Sequence, residues 1–176
     1  MAAQAAPIDE RRRPMAELTT LEEKLAEVLG LAQAAQGATE KVEGMVDDED
    51  LVAKLKQMRE EATETEKRCT DLAENRDGKK TAILEKAQET KSEATEMMQT
   101  YLGSDSDDLD GFEFLTMAEA GEVGHWAILG KINENAGEQE VRELVEWALP
   151  IQERHFSDVK DGSLKLAADE DPYGEA

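Results

Sequence analysis

Residues 119–156, EAGEVGHWAILGKINENAGEQEVRELVEWALPIQERHF, contain the most informative pattern of this chain. Each of the chain's two histidines follows a polar side chain by three residues, His125 after Glu122 and His155 after Gln152. Side chains three residues apart share one face of an α-helix. The stretch therefore predicts two helices, each with a polar pair on an otherwise apolar face.

The turn between these helices predicts that the two pairs face each other. Gly137 is a typical helix end, and a short connection makes neighbouring helices antiparallel. The midpoint then lies near residue 138, which brings His125 and His155 to one level of the bundle. Carboxylates one turn away or adjacent in sequence complete a mixed oxygen and nitrogen set that suits iron, manganese or zinc. The candidate metal ligands are Glu119, Glu122, His125, Glu153 and His155.

Outward from this stretch, apolar side chains recur every three or four residues, which predicts five helices. They lie near residues 18–46, 51–74, 79–102, 112–136 and 138–167. The buried side of the third helix is expected to carry Ile83, Ala87, Ala94, Met97 and Tyr101. That of the fourth is expected to carry Phe112, Leu115, Ala118, Glu122, His125, Leu129, Ile132 and Ala136.

This pattern predicts an all-α, antiparallel four-helix bundle with one additional crossover helix. The third helix supplies the crossover, since about 25 residues at about 1.5 Å each span the length of a bundle. The domain boundaries follow from composition. Residues 1–15 are expected to form a flexible tail, 16–167 the bundle and 168–176 an acidic tail.

Charge limits the classes of partner. The chain has 176 residues, with 20 Lys and Arg against 42 Asp and Glu, for a net charge of −22. Nucleic acids and anionic membranes attract basic surfaces, so neither is an expected partner, whereas a metal cation is. The single cysteine, Cys69, forms no internal disulfide, and no apolar run resembles a signal peptide or membrane span. We therefore expect a cytoplasmic protein.

The helix pair with its Glu-x-x-His spacing resembles the ferritin-like superfamily, and among its branches the small bacterial ferritin-like stress proteins of unclear function. The resemblance implies a di-iron or di-manganese centre and, by analogy, iron oxidation or peroxide disposal. Two departures are visible in the sequence. Gln152 stands where the motif has Glu, and the first helix pair has no histidine. Its available donors are carboxylates such as Glu40, Glu61 and Glu64.

Other interpretations stay open at this level. The Glu and His side chains also suit a structural hydrogen-bonded cluster in a non-enzymatic acidic bundle that acts as a stress or scaffold protein. GSLK, residues 162–165, is similar to the core of peptides that load cargo into encapsulin shells, although here it continues a helix. A homo-oligomer, the identity of the metal and catalytic activity are all left undecided by the sequence.

Overall fold

A computed structural model describes residues 16–174, which fold into five α-helices without a β-strand in that range. The predicted tail of residues 1–15 and the last two residues of the predicted acidic tail lie outside the described part. The helices are α1 (Thr20–Glu43), α2 (Glu49–Glu74), α3 (Lys80–Tyr101), α4 (Asp108–Ala136) and α5 (Gln139–Ala167).

Capping side chains set where the helices begin. The Thr19 hydroxyl accepts a hydrogen bond from the Glu22 amide, and the Glu22 carboxylate accepts one from the Thr19 amide. Asp107 and Asp110 form the same reciprocal pair before α4. Each pair satisfies amides that the first helical turn would otherwise leave without partners.

A left-handed glycine and two side-chain hydrogen bonds hold the turn between α4 and α5. Gly137 has φ 71°, in the left-handed region that favours glycine. The Asn133 side chain donates to the Glu138 carbonyl at 2.8 Å and accepts from the Glu138 amide at 3.2 Å. Because this turn fixes the start of α5 relative to α4, it also sets which side chains face each other in the middle of the pair.

Four helices, α1, α2, α4 and α5, enclose the core. α1 packs on α2, and α4 packs on α5. α4 also runs antiparallel to α1, since its first turn meets the end of α1 where Gly111 lies against Val42. α5 runs antiparallel to α2, as shown by Lys165 beside Asp48 near one end and Arg154 beside Glu61 further along. The predicted antiparallel bundle with a crossover helix is thus confirmed.

The crossover helix α3 lies outside this bundle against α1. Gly30 makes the close approach: a Cβ atom at this position would lie 2.3 Å from the carbonyl oxygen of Ala87. Ile83 and Ala87 are buried as predicted, but Met97 and Tyr101 are 51% and 59% exposed, so their predicted burial is wrong. The physical reason is that α3 packs mainly on α1 and little on α4, which leaves its second half partly uncovered.

The bundle interior contains two apolar clusters separated by polar residues. The first includes Leu25, Leu29, Trp126, Leu129 and Val141. The second includes Val42, Leu55, Phe112, Leu115 and Val159. Between them lie the buried side chains that we call the polar layer, namely Thr65, Glu119, Glu122, Gln152 and His155.

Two further expectations concern surfaces and partners. None of the helices within residues 16–174 combines the length and apolar composition that a membrane crossing requires.

The GSLK sequence lies inside α5, with Gly162 packed against the Phe112 ring and Leu51. Loading into a shell stays an untested prediction; three of the four residues have intramolecular partners, whereas Leu164 is 64% exposed.

Candidate functional site

The candidate site is built from the central turns of α4 and α5. The apolar spacing on α4 continues through Glu119 and Glu122, and that on α5 through Gln152 and His155. These four side chains are between 2% and 5% exposed. Buried polar groups of this kind need partners inside the protein, because water no longer supplies them.

Because the two helices are antiparallel, the first polar residue of α4 lies opposite the second of α5, and the second lies opposite the first. The Gln152 side-chain amide donates a hydrogen bond to Oε2 of Glu122. His155 lies opposite Glu119, with 3.7 Å between Nδ1 and Oε2. Each carboxylate of α4 therefore meets a neutral or basic group of α5.

A carboxylate of α2 completes the arrangement. Oε2 of Glu61 lies 2.5 Å from Nε2 of His155, and both Glu61 oxygens accept from Arg154 Nη2, at 2.5 and 2.6 Å. Gln57 donates to Oε1 of Glu61 at 3.1 Å. Glu61 is one of the donors that the sequence offered from the first helix pair, and the structure distinguishes it from Glu40 and Glu64.

Burial governs the ionisation of this cluster. Desolvation raises the pKa of Glu119 well above its ordinary value, and the charge of Glu122 raises it further. Desolvation also raises the pKa of Glu122 to about 7, although the hydrogen bond from Gln152 opposes the shift. The pKa of His155 is lowered by burial, against the opposing effect of Glu61. Protons therefore reside on buried carboxyl groups up to near-neutral pH.

Glu119 has an unsatisfied oxygen. Its Oε2 is fully buried and finds no hydrogen-bond partner within residues 16–174. The distance of 3.7 Å to His155 is too long for a hydrogen bond. An unpaired buried acceptor is costly, and a proton, a cation or a donor group would each relieve it.

His125 does not join the polar layer. Its Nδ1 lies 3.1 Å from Oε2 of Glu27 on α1, and its side chain is 39% exposed. Trp126, the next residue, takes the buried position on α4 and is fully enclosed. His125 is also six residues beyond Glu119, which amounts to about 9 Å along a helix. The two histidines were predicted to face each other, and the structure does not bring them together.

Glu153 lies away from the cluster as well. It is exposed, and about 100° around the helix axis separates it from Gln152. Of the predicted ligands, the structure thus brings together Glu119, Glu122 and His155. The sequence indicated Glu61 only as one of several possible donors. It did not indicate Glu27 as a partner of His125, because only its place beside the apolar stripe of the first helix distinguishes it.

The donor types fit one metal ion better than two. Two carboxylates and an imidazole are typical ligands of iron, manganese and zinc. The α1 residues that line the cavity beside Glu119 and Glu122 are Leu31, Ala34, Ala35 and Ala38, and none of them carries a metal-ligating side chain. No group of three or more His, Cys, Asp or Glu side chains in the described part of the chain is already arranged to hold a metal ion. Ligation would require side-chain rotation, and a complete two-metal centre does not fit.

Comparison with known proteins supports the fold. No protein-family model matches the sequence, and no curated protein matches it. Among solved structures, the chain is similar to the Escherichia coli stress protein YciF, with a TM-score of 0.64 and 15% identity. The match covers 85% of this chain and 96% of that chain. The similarity shows that the two chains share an all-helical bundle fold.

Proposed function

We propose that this ferritin-like chain is a stress-related protein that binds a single divalent metal cation through Glu119, Glu122 and His155. The observation that carries the proposal is the orphaned Oε2 of Glu119, which is enclosed beside a second buried carboxylate. A cation would neutralise both carboxylates and would replace the proton that burial otherwise imposes on them.

The surroundings of His155 support this assignment. Its Nε2 contacts Glu61, which leaves Nδ1 on the side of Glu119. Imidazole ligands in proteins commonly pair their second nitrogen with a carboxylate, which fixes the ring orientation. Glu61 would therefore position His155 rather than bind the metal itself. Iron and manganese are the preferred ions, with zinc as a further candidate.

The stress-related role rests on the structural similarity to YciF, a stress protein of Escherichia coli. Fold similarity alone does not carry an activity from one protein to another. A two-metal centre for iron oxidation does not fit these residues, because Gln152 stands where the motif has Glu and the α1 residues that line the cavity carry no ligating side chain.

Metal binding is tested by calorimetric titration of the full chain with Mn²⁺, Zn²⁺ and, without oxygen, Fe²⁺. We expect about one ion per chain, with proton release as the carboxyl groups ionise. Glu119→Gln should weaken binding by about tenfold or more, since ligand loss removes a charge and a donor. Glu153→Gln is the matched control, because Glu153 is exposed outside the cluster. Equal stoichiometry and affinity in Glu119→Gln and the parent would refute the site.

A second candidate is a structural cluster without metal. The hydrogen bond from Gln152 to Glu122 and the contact between Glu61 and His155 favour it, because they tie α4 to α5 and α2 to α5. In that case none of the three metals would bind specifically. Glu119→Gln would then raise stability, since a neutral amide replaces a buried acid without losing a ligand.

A further inference from the structure

A cavity of about 320 Å³ lies between α1, α3 and α4. Its walls are mostly aliphatic or thioether side chains, among them Ala35, Ala94 and Met98. Met97 and Met117 also line it and are 51% and 39% exposed, so the cavity reaches solvent between α3 and α4. This volume is at the lower end of the range typical of small-molecule sites.

The inner end of this cavity is acidic. Glu119 and Glu122 both line it, and both are at least nine-tenths buried. Glu119 lines the cavity, and its enclosed Oε2 atom lacks a hydrogen-bond partner in the described residues. No Lys or Arg is among the residues that line the cavity, and the remaining ionisable side chain there is His125, which contacts Glu27. The apolar walls and the unpaired carboxylate together define an amphipathic site.

We propose that this cavity binds an aliphatic primary ammonium ion, with its hydrocarbon chain between α1, α3 and α4 and its ammonium group on Glu119 and Glu122. An ammonium group has three N–H donors, which can satisfy two neighbouring carboxylates in place of the protons that burial otherwise holds on them. The net charge of −22 also attracts cations and repels anionic amphiphiles such as fatty acids. By volume, about ten heavy atoms fit, taking about 30 Å³ for each.

Ammonium binding and metal binding can be tested separately. Both use Glu119 and Glu122, so the two cations should compete for the same carboxylates. His155 does not line the cavity, whereas Ala35 lines the cavity and is no metal donor. His155→Asn should therefore weaken metal binding but leave ammonium binding unchanged. Ala35→Leu should fill the cavity, and it should therefore weaken ammonium binding but leave metal binding unchanged.

The test is calorimetric titration of the full chain with n-octylammonium in 0.15 M sodium chloride. Octan-1-ol has the same chain without the charge, octanoate reverses the charge, and ethylammonium has the head group without the chain. We expect saturable binding of one octylammonium, at least about tenfold tighter than octan-1-ol or ethylammonium, and none of octanoate. Equal binding of octan-1-ol, or equal binding of ethylammonium through the acidic surface, would overturn the proposal.

Variants locate the bound molecule. Ala35→Leu should weaken octylammonium binding by about tenfold or more, because the leucine occupies the cavity. Ala120→Leu is the matched control, since Ala120 is exposed on α4 and does not line the cavity.

Methyl NMR of the methionines gives an independent measurement on the parent protein, with chemical-shift changes expected at Met97, Met98 and Met117. Unchanged affinity in a folded Ala35→Leu, or no shift at these methyl groups, would exclude this cavity.

Discussion

Glu61 on α2 and His155 on α5 lie 2.5 Å apart between Oε2 and Nε2, and this contact joins the two helix pairs at the level of the polar layer. The two residues are 94 positions apart in the sequence. His155 is almost fully buried, and Glu61 is about one quarter exposed. The ion pair with Arg154 holds Glu61 in place from the solvent side.

Replacing Glu61 with Gln should lower the pKa of His155 further. Burial already lowers that pKa, and the hydrogen bond and charge of Glu61 raise it. NMR titration of the His155 ring measures the change directly. The free energy of unfolding should fall by about 1 to 3 kcal/mol, as is typical when a buried partner is lost.

Glu64→Gln is the control for this prediction. Glu64 lies one turn along α2, pairs with Arg68 at 2.8 Å and is half-buried. Its replacement should leave the His155 titration as in the parent. A His155 pKa that is the same in Glu61→Gln and the parent would contradict the coupling.

The buried carboxyl groups should make the protein less stable as pH rises from about 4.5 to about 7. The pKa of Glu122 is raised from 4.5 to about 7 in the folded state. Folded protein therefore binds more protons than unfolded protein in this window, and its extra stability below pH 4.5 is lost as pH rises through the folded value. For Glu122 alone the change is at most about 3 kcal/mol.

The variant Glu119→Gln with Glu122→Gln should remove this decline, because an amide cannot titrate. Urea unfolding at several pH values, with and without the two substitutions, measures the difference. His155 has a lowered pKa, so it acts in the opposite direction and costs stability as pH falls below about 6.5 in both proteins. Parallel pH profiles for parent and variant would show that the two carboxyl groups do not titrate in this window.

The contact between α1 and α3 should not tolerate a methyl group at Gly30. A Cβ atom there would lie 2.3 Å from the Ala87 carbonyl oxygen and 2.7 Å from Cβ of Thr90. Gly30→Ala should therefore lower the free energy of unfolding by about 1 to 3 kcal/mol by overpacking. Gly37→Ala on the same helix meets nothing within 4 Å and should be stabilising by up to about 1 kcal/mol. Thermal and urea unfolding of both variants measures these opposite signs, and stabilisation by Gly30→Ala would contradict the packing of α3.

Added salt should raise the melting temperature. The surplus of 42 acidic over 20 basic residues opposes compactness through repulsion. Screening shortens the range of this repulsion from about 10 Å at 0.1 M to about 3 Å at 1 M salt. We expect an increase of a few degrees in sodium chloride, measured by thermal unfolding, with sodium sulfate as a comparison for general exclusion effects. A flat or falling melting temperature in chloride would indicate that local pairs such as Lys24 with Glu27 already compensate the charge.

Helix pattern and bundle class were accessible from the sequence, because both depend on local spacing. The residues that recur every three or four positions on α5, from Val141 to Val159, are buried in the structure, and so are those on α2 from Leu51 to Leu72. Both helices have one narrow apolar stripe, so only one rotation about the helix axis buries it. The C-terminal end of α4 was likewise readable from Gly137, whereas its start at Asp108 lies four residues before the predicted one.

Tertiary structure decided which of two adjacent residues on α4 enters the core. His125 and Trp126 are about 100° apart on the helix, and the apolar residues of α4 surround both. Packing on α1 and α5 turns Trp126 inward and leaves His125 beside Glu27 at the surface. The spacing of a sequence determines that a helix has a buried face, but contacts with its neighbours determine its rotation about its axis.

The same limit applies to the partners of His155 and to α3. Nothing local distinguishes Glu61 from Glu40 or Glu64, since all three are acidic residues on predicted helices. Antiparallel packing of α2 on α5 brings Glu61 to His155. Sequence alone thus determined the helices, the acidic charge and the polar residues within the α4 and α5 stripes. Only the assembled bundle determined which polar groups meet and which apolar face of α3 stays open, because both depend on distances between helices far apart in the chain.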